Sequence, residues 1–193
     1  MHPRTARLSA HDAANPHPDD AAGLGAELAA VVAGARRRAV RDGDRQIDTA
    51  HLLHSLLEHD PEVRSAVGDP PQLARLLGYL VQRSIGYGLR WQGTVEDSGP
   101  IAVVPGPRAG AGEAKDAGER SPAAAAALAH ARERARQRGE ARATGLDLLA
   151  ALVADPRSRA VEVLERAGIP ARDLNARIET DPRERTGEGG ANS

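Results

Sequence analysis

Apolar residues recur at helical spacing in two separate stretches of the chain. Leu28, Val31, Val32, Ala35 and Ala39 form one stripe, and Ala124, Ala127, Leu128, Ala131 and Ala135 form another. Steps of three and four residues put each set on one face of a helix. Gly43 and Gly139 follow these stripes as stop signals, since glycine alone enters the left-handed cap conformation without cost. Ser121-Pro122 reads as an N-cap followed by Pro at the first helical position, where the missing N–H is no loss. Second helices are expected from Asp48 and from Thr144, the latter with Asp147 three residues on in a capping-box pattern. Their stripes are Leu52, Leu53, Leu56, Leu57 and Leu148, Leu149, Leu152, Val153, and the six leucines at 52, 53, 56, 148, 149 and 152 are the expected core. A short helix follows Pro61 and another follows Pro156 up to Gly168; fourth helices start near Pro71 and Pro170.

The two stretches repeat each other. Displacing the chain by 96 residues aligns 11 identical residues in the 34 positions from 24 to 57, including Gly43 on Gly139 and Leu52, Leu53, Leu56 on Leu148, Leu149, Leu152. Five of the 11 are Ala, so the leucine triplet and the glycine carry more weight. A duplicated supersecondary unit is the natural reading. The expected organisation is a disordered tail at 1–22, a first repeat at 23–86, a linker at 87–120 with a small hairpin at 87–104, a second repeat at 121–179, and a disordered tail at 180–193. The hairpin rests on Tyr87, Leu89 and Trp91, then Ile101, Val103 and Val104, flanking an Asp97-Ser98-Gly99 turn signal. The fold class is therefore all-α, two tandem four-helix repeats.

Composition supports helices. Of 193 residues 38 are Ala, 36 are Val, Ile or Leu, and only three are aromatic, an inventory suited to close helix packing and poor in strand formers. With no cysteine, disulfides, thiolate metal sites and a cysteine nucleophile are excluded. No run of 18 apolar residues exists, and the first 20 residues lack the apolar core of a secretory signal, so a cytoplasmic protein with no membrane association is expected. The 25 Arg and one Lys are balanced by 27 acidic residues, so charge alone does not point to nucleic acid.

Two tandem four-helix units of this layout resemble the N-terminal domain of the Clp ATPases, the substrate-receiving double repeat of ClpA- and ClpC-type unfoldases. Ile47-Asp48-Thr49-Ala50-His51-Leu52-Leu53-His54-Ser55-Leu56 stands against the family's Ile-Gly-Thr-Glu-His-Ile-Leu-Leu-Gly-Leu, Ser121-Pro122-Ala123-Ala124 against Thr-Pro-Arg-Ala, and Ala160 to Ile169 against Ala-Ala-x-Val-Leu-x-x-Leu-Gly-Ile. The resemblance implies a protein-binding, chaperone-related module of protein quality control. Its partners would be peptides, unfolded segments, Clp adaptors or peptide ligands that target such domains. By position in the family motif, Leu24, Thr49, Ala50, Ser121, Thr144 and Leu146 are the candidate ligand-binding residues.

The departures sharpen this expectation. No phosphate loop is present and the single Lys falls in the linker, so a stand-alone domain without ATPase modules is expected. Where the motif Glu pairs with the guanidinium of phosphoarginine in some members, Ala50 and Leu146 stand here, which removes the charge-assisted fork. Leu24 and Arg120 occupy the place of the family's opening Phe, and Gly68-Asp69-Pro70-Pro71 reads as an insertion before the first repeat's last helix.

Catalytic chemistry finds no foothold: no nucleophile elbow and no positioned acid–base pair emerge, so no enzyme activity and no cofactor is expected. His51 and His54, three apart with His59 beyond, have a spacing that suits a metal. Further ligands would have to come from elsewhere, so packing or surface roles are expected and no metal. Arg36, Arg37, Arg38 and Arg41, with Arg132, Arg134, Arg136 and Arg138, make the alternative reading an Arg-rich, DNA-associated regulator. Three consecutive arginines fan across about 200° of a helix, so a solvated face is the favoured reading and nucleic acid is not the expected partner.

Overall fold

A computed structural model describes residues 24–84, Glu96 and residues 120–184. They form eight helices: α1 (Ala26–Asp42), α2 (Thr49–His59), α3 (Pro61–Val67), α4 (Pro70–Ser84), α5 (Pro122–Gln137), α6 (Gly145–Ala154), α7 (Arg159–Arg166) and α8 (Ala171–Glu184). The chain is all-α, as its patterning predicts. The hairpin expected at 87–104 lies outside the described residues apart from Glu96, and so does the tail expected at 1–22.

The ends of the helices follow the sequence signals. Ser121 accepts a hydrogen bond from the Ala124 N–H ahead of Pro122, and Thr144 forms a reciprocal capping box with Asp147. Asp48 does the same with His51, an imidazole standing where Glu or Gln usually completes the box. Gly43 and Gly139 take φ of 73° and 76°, the left-handed region that ends α1 and α5 at corresponding places.

Two expectations are corrected. Gly68-Asp69-Pro70-Pro71 is no insertion: only Gly68 and Asp69 separate α3 from α4, against four residues between α7 and α8, and both prolines lie in the first turn of α4. A first-turn proline loses no helical hydrogen bond, which is why the helix begins there. The tail expected from residue 180 also starts too early, because α8 runs to Glu184.

The repeats cross-pack. α1 lies on α2 and α5 on α6, and α2 then meets α7 while α6 meets α3, with α2 against α6 between them. Two single bridges report the same exchange: Leu24 pairs with Ala143, and Ile47 pairs with Arg120. Leu24 and Arg120 are one displacement of 96 apart, and so are Ile47 and Ala143. Each repeat's opening residue thus pairs with the residue two before the other repeat's second helix, the mark of a pseudo-two-fold arrangement. One hydrophobic cluster spans both repeats. The six leucines expected as core are at most 1 % exposed. Gly34 lets α1 approach α2 so closely that a Cβ there would overlap the Ser55 hydroxyl.

Candidate functional site

Polar groups gather on both sides of the pseudo-two-fold axis. On one side α2 and α7 point their N-termini at each other, and the carboxylate of Glu96, from the inter-repeat segment, is buried between them. Its Oε2 accepts from the Thr49 N–H (2.9 Å) and the Ser121 hydroxyl (3.0 Å). Oε1 accepts from the Arg159 N–H (2.6 Å) and the Thr49 hydroxyl. Thr49 Oγ1 in turn accepts from the Ala160 N–H at 3.0 Å. A carboxylate there satisfies N–H groups that the first turn of each helix leaves unpaired, at the end where the helix dipole favours negative charge. Beside it, Arg159 donates from Nη1 to Asp48 Oδ2 at 2.7 Å, a buried ion pair between the repeats.

On the other side, α6 meets α3. Gly145 is the first residue of α6, in the register that Thr49 holds in α2. It lies so close to the Asp60 carboxylate that a Cβ at Gly145 would overlap it. Asp60 is the N-cap of α3, accepting from the N–H groups of Glu62 and Val63.

Next to this contact opens a cleft of about 480 Å³, lined by Glu62, Arg134, Gln137, Arg138, Glu140, Thr144, Leu146, Asp147, Ile178 and Glu179. It lies where α3 of the first repeat faces α5, α6 and α8 of the second. Arg138 grips both oxygens of Asp147, with Nη2 at 2.6 Å from Oδ2, the fork geometry that makes Arg–carboxylate pairs strong. Burial pushes the Asp147 carboxyl up, but the bonds from Arg138 and Thr144 outweigh it and hold it below its usual range. Arg134 pairs with Glu179 at 2.7 Å. Four carboxylates therefore face two guanidiniums that already have acidic partners.

The six candidate ligand-binding residues divide. Leu24, Thr49, Ala50 and Ser121 are each at most 3 % exposed. They are engaged in bridging, capping and packing within the fold. Thr144 is exposed and Leu146 half-buried, and both line the cleft. Sequence reading passed over Glu96, which directly precedes the Asp97-Ser98-Gly99 turn signal and carries no local sign that its carboxylate is buried. It also passed over the Arg159–Asp48 and Arg138–Asp147 pairs, although the capping box had already placed Asp147.

The arginines of the first helices are mostly neutralised in place. Arg38 pairs with Glu58, Arg41 lies 3.6 Å from Asp42, Arg134 meets Glu179, Arg136 meets Glu133 and Arg138 meets Asp147. Such pairing works against a continuous phosphate-binding stripe. Among the described residues, no helix is long and apolar enough to cross a membrane.

Residues 120–192 match the model of the Clp repeat (R) N-terminal domain. The N-terminal domain of the Clp-protease-associated chaperone ClpD from Arabidopsis thaliana superposes with a TM-score of 0.52 at 14% identity, over 83% of this chain and 95% of that one. A chain solved in structural work on a malarial protein secretion system superposes with a TM-score of 0.55 at 16% identity, over 82% of this chain and 93% of that one. No curated protein sequence matches the chain. Residues 120–192 therefore read as a Clp N-terminal repeat domain, and the all-helical fold of the ClpD N-terminal domain extends over both repeats of the chain.

Proposed function

We propose that the protein is a non-catalytic protein- and peptide-binding module that works as an adaptor, decoy or ligand-sequestering partner of the Clp protease system. The supporting observation is the cleft at the repeat boundary. It is wide enough for side chains of an extended peptide, and Thr144 and Leu146 stand on its surface. Clefts between helices are a usual place for ligands. The excess of carboxylates in its lining favours a peptide carrying Lys or Arg over an acidic one. The absence of a motif-type carboxylate at Ala50 and Leu146 argues that any guanidinium would be met by the cleft's own acids, Glu140 and Glu62 among them.

The test is fluorescence anisotropy with two labelled unstructured peptides of equal length, one basic and one acidic. The basic peptide is expected to bind, and Glu62→Lys combined with Glu140→Lys to weaken it more than about tenfold, the effect of reversing the cleft's charge complementarity. Equal binding of both peptides by wild type and variant, or none by wild type, overturns the reading.

A further inference from the structure

We infer that the acidic cleft takes the protein's own N-terminal segment as a ligand, with residues 3–9 (Pro-Arg-Thr-Ala-Arg-Leu-Ser) docking in it and competing with added basic peptides. The inference rests on the peptide-binding reading of that cleft. Residues 1–23 precede the described part of the chain, which begins at Leu24. Leu24 forms a parallel bridge with Ala143. Two chains paired in parallel run the same way, so the backbone leads from Leu24 back along the stretch that precedes Ala143. That stretch contains Arg138 and Glu140 of the cleft lining, and Thr144 follows Ala143 directly. The fold therefore delivers the N-terminal segment to the rim of the cleft.

Charge selects this segment. Residues 1–11 carry Arg4, Arg7, His2 and His11 and no acid. The cleft presents Glu62, Glu140, Asp147 and Glu179 against Arg134 and Arg138, and both arginines are engaged with acids of the lining. Arg4 and Arg7 bring the two positive charges that balance it, and complementary charge fixes partner and register. Leu8 adds an apolar side chain for Leu146, the half-buried leucine of the lining. The segment's acids, Asp12, Asp19 and Asp20, all fall between this run and Leu24, on the connecting stretch. Residues 8–23 connect Arg7 to Leu24. Each spans up to about 3.4 Å, ample reach for a cleft whose lining starts one residue from the bridge. Other stretches outside the described residues suit the cleft less. Residues 97–119 set Asp97, Glu113, Asp116 and Glu119 against Arg108 and Lys115, residues 185–193 set Arg185 against Glu188, and residues 85–95 are held at both ends, by α4 and by buried Glu96. A short connection keeps the segment at an effective concentration on the order of millimolar, at which a segment Kd of about 0.1 mM raises the apparent Kd of an added peptide about tenfold.

Full-length wild type and Arg4→Glu with Arg7→Glu are compared in two measurements. In an anisotropy titration with the labelled basic peptide, the variant is expected to bind at least about fivefold more tightly, because the tethered competitor is gone. In amide NMR spectra without added peptide, the resonances of Thr144 and Leu146 are expected to differ between the two proteins, while those of Leu52 and Leu56 in the core coincide. In a Glu62→Lys, Glu140→Lys background, shown to be folded by circular dichroism, the same substitution of Arg4 and Arg7 should leave Thr144 and Leu146 unmoved. Cleft resonances that coincide in wild type and variant overturn the inference. So does binding of the peptide with equal affinity by both, which leaves the peptide-binding reading standing. If neither protein binds the peptide while the cleft resonances still differ, the peptide-binding reading falls and the docked segment stands. Differences that grow with protein concentration would put the segment in the cleft of a second copy and overturn the intramolecular contact.

Discussion

His54 illustrates how one side chain couples the fold to pH. It is 6 % exposed on α2, and burial first, then the nearby Arg38 and Arg41 charges, lower its pKa to about 4 against the pull of Glu58 and Asp42. An unfolded-state histidine titrates near 6.5, so between about 6.5 and 4 the unfolded chain binds the proton and the folded one does not. Stability is therefore complete above the unfolded value and falls as pH drops through that window, by about 3 kcal/mol for a shift of this size. Urea midpoints of wild type should decline between pH 7 and pH 4.5, and those of His54→Gln should decline distinctly less. Parallel curves would show that the proton goes elsewhere. Position 54 reads in the sequence only as a histidine three residues from another; its partners Arg38 and Glu58 come together through the α1–α2 crossing, which local spacing does not reveal.

Among the elements, helices and caps were legible because each leaves a local trace. Periodic leucines, Ser121-Pro122, Thr144 with Asp147, and glycines at 43 and 139 all act within one turn of the backbone they specify. The displacement of 96 carried further, since it also relates the two inter-repeat bridges. What stayed hidden was whatever one repeat supplies to the other. Four of the six residues taken from the family motif proved to be buried fittings, while Thr144 and Leu146 reached the cleft. The α3–α6 contact is a test of such a hidden fitting. Gly145 gives Asp60 room to stand against α6 while it caps α3. Gly145→Ala places a methyl group on that carboxylate and forces it off its cap. Any helix-propensity gain from Ala is smaller at a first-turn position than the cap it displaces. A net loss of about 1–2 kcal/mol in thermal or urea unfolding is expected. Combining it with Asp60→Ala should cost less than the sum of the two single changes, because both break one contact. Additive losses would place the effect of Gly145 elsewhere.

At the scale of the whole molecule, the two repeats share one apolar cluster, and a polar joint fixes how they meet. Apolar packing supplies most of the association, but contacts among small and aliphatic side chains, many of them alanine here, tolerate sliding. Directional bonds do not. Glu96 binds the start of α2, the start of α7 and Ser121 at the head of α5 with a single carboxylate, and Asp48–Arg159 adds a buried pair across the same joint. Glu96→Ala removes the acceptor and leaves buried N–H and hydroxyl donors of Thr49, Ser121 and Arg159 to be satisfied in another way. A loss of about 2–4 kcal/mol is expected, several charge-assisted bonds being partly replaced by water. Because the shared core remains, the variant should still unfold in one transition, at a lower midpoint and with fluorescence and circular dichroism coincident. Glu96→Gln, which keeps one acceptor oxygen, should fall between the two. If Glu96→Ala unfolded in two separate steps, the carboxylate would be the principal tie between two otherwise independent repeats. A midpoint equal to that of wild type would mean that the reciprocal helix packing alone sets their arrangement.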